Sequence, residues 1–399
     1  MSAPSPLHLA AALDGAGWHP AAWREPASRP RELFTARYWA DLVAEAEHGL
    51  LDFVTFEDAL APQSSRPDGP DGRTDRVHGR LDAVLTAARV APLTRHIGLV
   101  PTVTATHTEP FHLSKAVATL DHVSNGRAGV RIRVTARPDE AAHFGRRTFP
   151  APGTSAPTDS PAAVAEELWE EAADYVEVLR RLWDSWEDDA EIRDAATGRF
   201  VDRDKLHHID FEGRFFRVRG PSITPRPPQG LPPVAVPLDG PASLRTAARS
   251  ADLVHVPADD ADRVRDAVAR LRGLRDADGP LHVLGDLAVL LDETAAAAAD
   301  RRARLDDLDG PPVADGIPVF AGTPAGLADL LLDLRAAGLT GFRLHPAVLG
   351  HDLPAVTRGL VPELQSRGAF RTAYGVGTLR GLLGLPRPAN RYAAAAARS

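Results

Sequence analysis

The 399-residue sequence contains no cysteine. That excludes disulfides, thiolate metal sites and a cysteine nucleophile, and it agrees with a cytoplasmic location. No apolar run reaches the roughly 20 residues that a bilayer-spanning helix needs. The start, Met1 through His8, lacks a basic segment followed by an apolar one, so no signal peptide is expected. Charge is not segregated: the formal net charge is −8 with acids and bases interspersed, and no basic face for nucleic acid emerges. No Gly-x-Gly-x-x-Gly follows a strand, so a nicotinamide-binding half is not evident. Gly-x-Ser-x-Gly is also missing, which removes the usual hydrolase elbow. Adjacent His207 and His208 lack the spacing of a metal set, and no metal is expected.

What is present is a steady alternation. Short β-rich runs occur at Leu7–Leu13, Asp52–Phe56, Ile97–Val103, Ala128–Val134, Pro233–Leu238, Asp252–Val256, His282–Leu291 and Gly341–His345. Most read as apolar on both faces, as in a parallel sheet covered by helices. Helical patterns separate them at Tyr38–Gly49, Arg80–Ala91, His112–Leu120, Glu166–Trp186, Ala242–Ser250, Asp259–Leu274 and Pro324–Ala337. Gly49 and Gly338 supply stop signals. Eight strand–helix repeats predict an α/β fold, a (β/α)8 TIM barrel. Three segments interrupt it: a Pro-rich excursion at about 15–31, a Pro/Ser/Thr-rich loop at 136–163 expected to be mobile, and a charged stretch at 187–228. The last carries a predicted hairpin, Ile209–Val218, turning at Glu212-Gly213. The first two leave strand C-termini, where barrel enzymes build their sites. The tail Ala393–Ala397 is expected to fray.

Several blocks then carry a more specific signal. Gly17-Trp18-His19-Pro20 through Arg24, Thr106-His107-Thr108-Glu109-Pro110, Leu120-Asp121-His122-Val123-Ser124-Asn125-Gly126-Arg127 and Leu182-Trp183-Asp184-Ser185-Trp186 occur in order, followed by Pro225-Arg226-Pro227-Pro228-Gln229-Gly230 and Leu385-Pro386-Arg387-Pro388. Together they resemble the nitrilotriacetate, dibenzothiophene-sulfone and pristinamycin-type monooxygenases, a subgroup of the bacterial-luciferase-like flavin oxidoreductases. The resemblance covers nearly the whole chain and implies one barrel domain, 1–399. It also implies a two-component monooxygenase in which a separate flavin reductase supplies reduced FMN and O2 is the co-substrate. A homodimer follows by analogy only.

The same resemblance nominates site residues. Asp58, just past the second strand, would contact the flavin, or else brace a loop. Thr104 ends the third strand, where it would face the ring or bond to local backbone. His107 is the candidate proton donor or substrate contact, against the bland reading of a structural histidine. Trp169 would offer an aromatic plane to the cofactor. Gly240 and Ser243, in the loop before the fifth barrel helix, would cradle the phosphate or simply start the helix. Trp18, His19 and Trp23 are pocket walls or lid core.

Departures from the family pattern cluster at this site. Val130-Arg131-Ile132-Arg133-Val134-Thr135 stands where Trp-Asn-x-x-Thr-Ser is expected. Arg131 must pair an anion or occupy ring volume. Ala165 replaces an imidazole at the start of the fourth helix. In Pro237-Leu238-Asp239-Gly240-Pro241-Ala242-Ser243, Asp239 brings negative charge towards an expected phosphate and Pro241 removes an amide donor. A reduced-FMN monooxygenase therefore stands beside two other readings: a barrel with a degraded flavin site acting as a non-catalytic or small-molecule-binding homologue, and a deazaflavin enzyme whose cofactor tail meets Arg131 or Arg133.

Overall fold

In the computed structural model, which describes residues 6–64, 66, 69–150, 160–275, 279–310 and 316–396, eight parallel strands close on one another. They are β1 (His8–Leu13), β2 (Phe53–Phe56), β3 (Gly98–Thr104), β4 (Val130–Arg133), β5 (Val234–Pro237), β6 (Leu253–Pro257), β7 (His282–Leu291) and β8 (Gly341–Pro346). Each pairs with its sequence neighbour, and β8 returns to β1 through Leu344 opposite Ala11. This is the (β/α)8 barrel expected from the alternation, with all eight strands where the sequence places them.

The outer faces pack on helices that include α1 (Ala36–His48), α2 (Ala83–Val90), α3 (Pro110–Val123), α4 (Pro161–Asp184) and α5 (Pro241–Ser250). These begin where the chemistry favours it. Thr35 and Ser160 cap α1 and α4 through their hydroxyls, and Asp82 caps α2 through its carboxylate. No helix among the described residues is long and apolar enough to cross a membrane.

The barrel interior is layered. At the bottom, Ala10, Phe53, Val100, Ala235, Leu253 and Leu284 form an apolar plug completed by Leu379, Leu383 and Leu385 from the C-terminal segment. Two residues further along the strands the inward positions become Thr55, Thr102, Arg131, His255, Asp286 and Arg343, as a period of two requires. Strands apolar on both faces were expected; the upper half of the inner face is instead polar and charged.

Several local expectations are corrected. The hairpin is shorter and turns later, Phe211–Glu212 pairing with Arg217–Val218 around 213–216. Arg391–Ala396 is helical, and Ala397 of the expected frayed tail lies outside the described residues. The loop at 136–163 contains a helix, Pro138–Ala142, and α4 starts at Pro161; residues 151–159 of that expected loop lie outside the described residues. A helix at Ala295–Asp309, a strand at Val319–Gly322 pairing with the end of β7, and a long excursion at 57–82 after β2 were not anticipated.

Candidate functional site

The parallel strands place the loops after β1, β2, β3, β4 and β5 around one mouth, and the layer beneath it is ionic. Arg343 donates from Nε and Nη2 to the two carboxylate oxygens of Asp286 (2.8 and 2.7 Å) and from Nη1 to Glu57 Oε1 (2.8 Å). Arg131 donates from Nη1 to Glu57 Oε2 (3.1 Å). Thr55 donates its hydroxyl to Glu57 Oε1 at 2.8 Å. Two guanidinium groups thus face two carboxylates, and the layer is charge-balanced. Burial pushes the Glu57 carboxyl up, but Arg131 and Arg343 outweigh it and hold it at about 2. Asp286 is likewise buried yet held well below the usual carboxylate range by Arg343. Burial and the nearby Arg343 depress the imidazoles of His255 and His345, so both are neutral at pH 7.

This settles how the volume of Arg131 is used. Its guanidinium pairs an anion inside the barrel and forms part of the floor of the mouth. Glu57, the partner, was not among the residues singled out from sequence.

Asp58 lies just past β2, Thr104 ends β3, and His107 lies in the loop that follows β3. Asp58 accepts backbone hydrogen bonds from Ala59 (2.8 Å) and Ala83 (3.0 Å), bracing the loop against the start of α2. Its carboxyl is pushed up by burial. Thr104 is buried and lies opposite Arg133 in register; Arg133 donates to the Asp58 carbonyl at 2.8 Å. His107 is buried, stacks on Phe144 with centroids 4.9 Å apart, and leaves Nε2 without a hydrogen-bond partner. Burial lowers its pKa, so the ring is neutral at pH 7.

Trp169, Gly240 and Ser243 gather separately around Asp239, at the end of β5. The Ser243 hydroxyl accepts from the amides of Asp239 (3.0 Å) and Gly240 (3.1 Å) and donates to the Gly240 carbonyl (2.9 Å). Burial raises the Asp239 carboxyl, opposed by hydrogen bonds from Ser243 and Trp169 and by the charge of Arg131. The amides of Asp239 and Gly240 are therefore engaged, Pro241 has none, and the Asp239 carboxylate lies beside the loop. The loop at 239–243 is a poor fit for a phosphate, which would find only the Ala242 and Ser243 amides at the start of α5, beside a carboxylate. His107 Nε2 is a buried polar atom with no hydrogen-bond partner among the described residues, on a ring already stacked against Phe144.

The family model described as luciferase-like monooxygenase matches residues 16–309. Over 98% of this chain and 99% of the relative, the sequence is 29% identical to nitrilotriacetate monooxygenase component A of Aminobacter aminovorans. A long-chain alkane monooxygenase superposes with a TM-score of 0.84 at 22% identity, covering 96% of both chains. A riboflavin lyase, solved with modified FMN and riboflavin, superposes at 0.82 with 23% identity over 97% of this chain and 98% of that one.

Proposed function

Because the chain belongs to the luciferase-like monooxygenase family, we propose that it takes reduced FMN from a separate reductase and uses it with O2 to oxygenate a small organic substrate within a single barrel domain. Reduced flavin supplies the activation of O2, while the protein binds, orients and excludes water. The observation that carries the reading at the level of this chain is His107. It is a buried, neutral imidazole in the loop after β3, stacked on Phe144 and with no hydrogen-bond partner for Nε2 among the described residues.

In this reading Thr104, Asp58 and Trp169 border the ring, and His107 holds or donates a proton at Nε2. Arg131 and Glu57 keep the floor rigid and neutral overall. Gly240 and Ser243 start α5 and contribute no phosphate seat. The name of the Aminobacter relative describes one component of a system, which supports a separate reductase as partner.

The test is oxygenation by the full chain in the presence of a flavin reductase, NADH, FMN and a panel of small substrates. Oxygenated product is expected from at least one, with His107→Phe giving less product per reduced flavin at an unchanged melting temperature. Hydrogen peroxide as the sole product across the panel, the same as from reductase and FMN alone, would contradict it.

A further inference from the structure

A cavity of about 400 Å3 opens beside the charged floor, between the loops after β1 and β2 and the end of β4. Trp18 and Trp23 form its aromatic side. The Trp18 ring meets His345 edge-on at 4.6 Å, and Trp23 Nε1 donates to the Asp75 carbonyl at 3.1 Å, so both indoles are held in place.

Among the described residues, four arginines line the same cavity, against two carboxylates, Asp14 and Glu140. Two of the four are committed elsewhere, and a third is tied to Asp14 on the cavity wall itself. Arg76 grips both oxygens of Asp309, Arg80 donates to Asp14 at 2.7 Å, and Arg137 grips both oxygens of Asp139. Arg133 differs. Its hydrogen bond goes to a backbone carbonyl, that of Asp58, and its nearest carboxylate oxygen among the described residues, on Glu140, is 4.0 Å away. Arg80, adjacent along the wall, keeps its Nε buried without a partner. A guanidinium that is largely buried, lines a cavity and has no carboxylate closer than 4.0 Å among the described residues can take one, because a charge-assisted pair is stronger than a neutral one.

We propose that this cavity binds the carboxylate of an organic acid on Arg133, with a further hydrogen bond from Arg80, while the apolar part of the ligand lies against Trp18. The acid is the molecule oxygenated, and only that assignment rests on the proposed monooxygenase function; binding of the anion does not.

Two probes of nearly equal shape, phenylacetate and phenylacetamide, test the charge requirement by calorimetry on the full chain without flavin. Phenylacetate should bind at least about tenfold more tightly. Arg133→Gln should erase that preference, Arg133→Lys should keep part of it, and Trp18→Leu should weaken both probes alike, all with melting temperatures near that of the parent. Equal affinities in the parent chain, no binding of either probe, or a preference that survives Arg133→Gln would overturn the proposal. Competition between FMN and phenylacetate for one site would overturn it too, by giving the cavity to the cofactor. Anion preference without any oxygenation would leave this inference standing and remove the monooxygenase reading alone.

Discussion

Glu57 accepts from Arg131 through Oε2 and from Arg343 through Oε1, so one carboxylate joins β4 to β8 across the inside of the barrel. The layer is balanced only while Glu57 is ionised. Glu57→Gln leaves two buried guanidinium groups sharing the single carboxylate of Asp286 and should destabilise the fold by about 3–5 kcal/mol. Arg131→Met leaves Glu57 paired with Arg343 and bonded to Thr55, and should cost clearly less. Urea denaturation of the two variants checks this; equal losses would show that the Arg131 pair matters as much as the carboxylate.

Asp239 gives a second prediction, on cofactor choice. With the amides of Asp239 and Gly240 engaged by Ser243, the FMN phosphate gains little at this loop and meets a carboxylate. FMN should therefore bind no more tightly than riboflavin. Asp239→Asn should improve FMN affinity by about three- to tenfold and leave riboflavin unchanged. Fluorescence titration of both flavins reads the difference. A strong preference for FMN in the parent chain would mean that the phosphate has a seat elsewhere.

Acid sensitivity should come in part from His282, at the opposite end of the barrel. Burial and the neighbouring His8 hold its pKa at about 4, against 6.5 for the free side chain, although its ring bonds the Leu383 carbonyl at 2.7 Å. A depressed folded-state value means that the unfolded chain takes up the proton first. The stabilisation is therefore complete above pH 6.5 and is lost as pH falls towards about 4. Between pH ~7 and ~5 the parent chain should lose about 1–2 kcal/mol more than His282→Gln in urea denaturation. Identical pH slopes would remove His282 as a source.

Much of this architecture is legible in the sequence because the outward faces of the strands and the inward faces of most helices obey simple periods. Ala295–Asp309 escaped for a physical reason. Its buried face is Ala298, Arg301, Leu305 and Asp309, and Arg301 is buried through its pairs with Asp292 and Asp352, so apolar periodicity cannot reveal it. The excursion at 57–82 carries neither period. The ionic layer does leave a signal, since Thr55, Arg131, His255, Asp286 and Arg343 occupy alternate positions in otherwise apolar strands. What no local pattern gives is that they meet: Glu57 and Arg343 are far apart in the chain. Asp58, Thr104 and His107 could be nominated only through the family resemblance, while the self-contained bonding of Ser243 with residues 239 and 240 is a property of the folded loop.

Anaerobic titration of the full chain with dithionite-reduced FMN, followed by calorimetry, bears most directly on the central claim. A saturable isotherm, tighter for the reduced flavin than for the oxidised and weakened by His107→Phe, is the expected result. No saturation up to about millimolar flavin in either redox state would contradict a flavin-dependent role for this barrel.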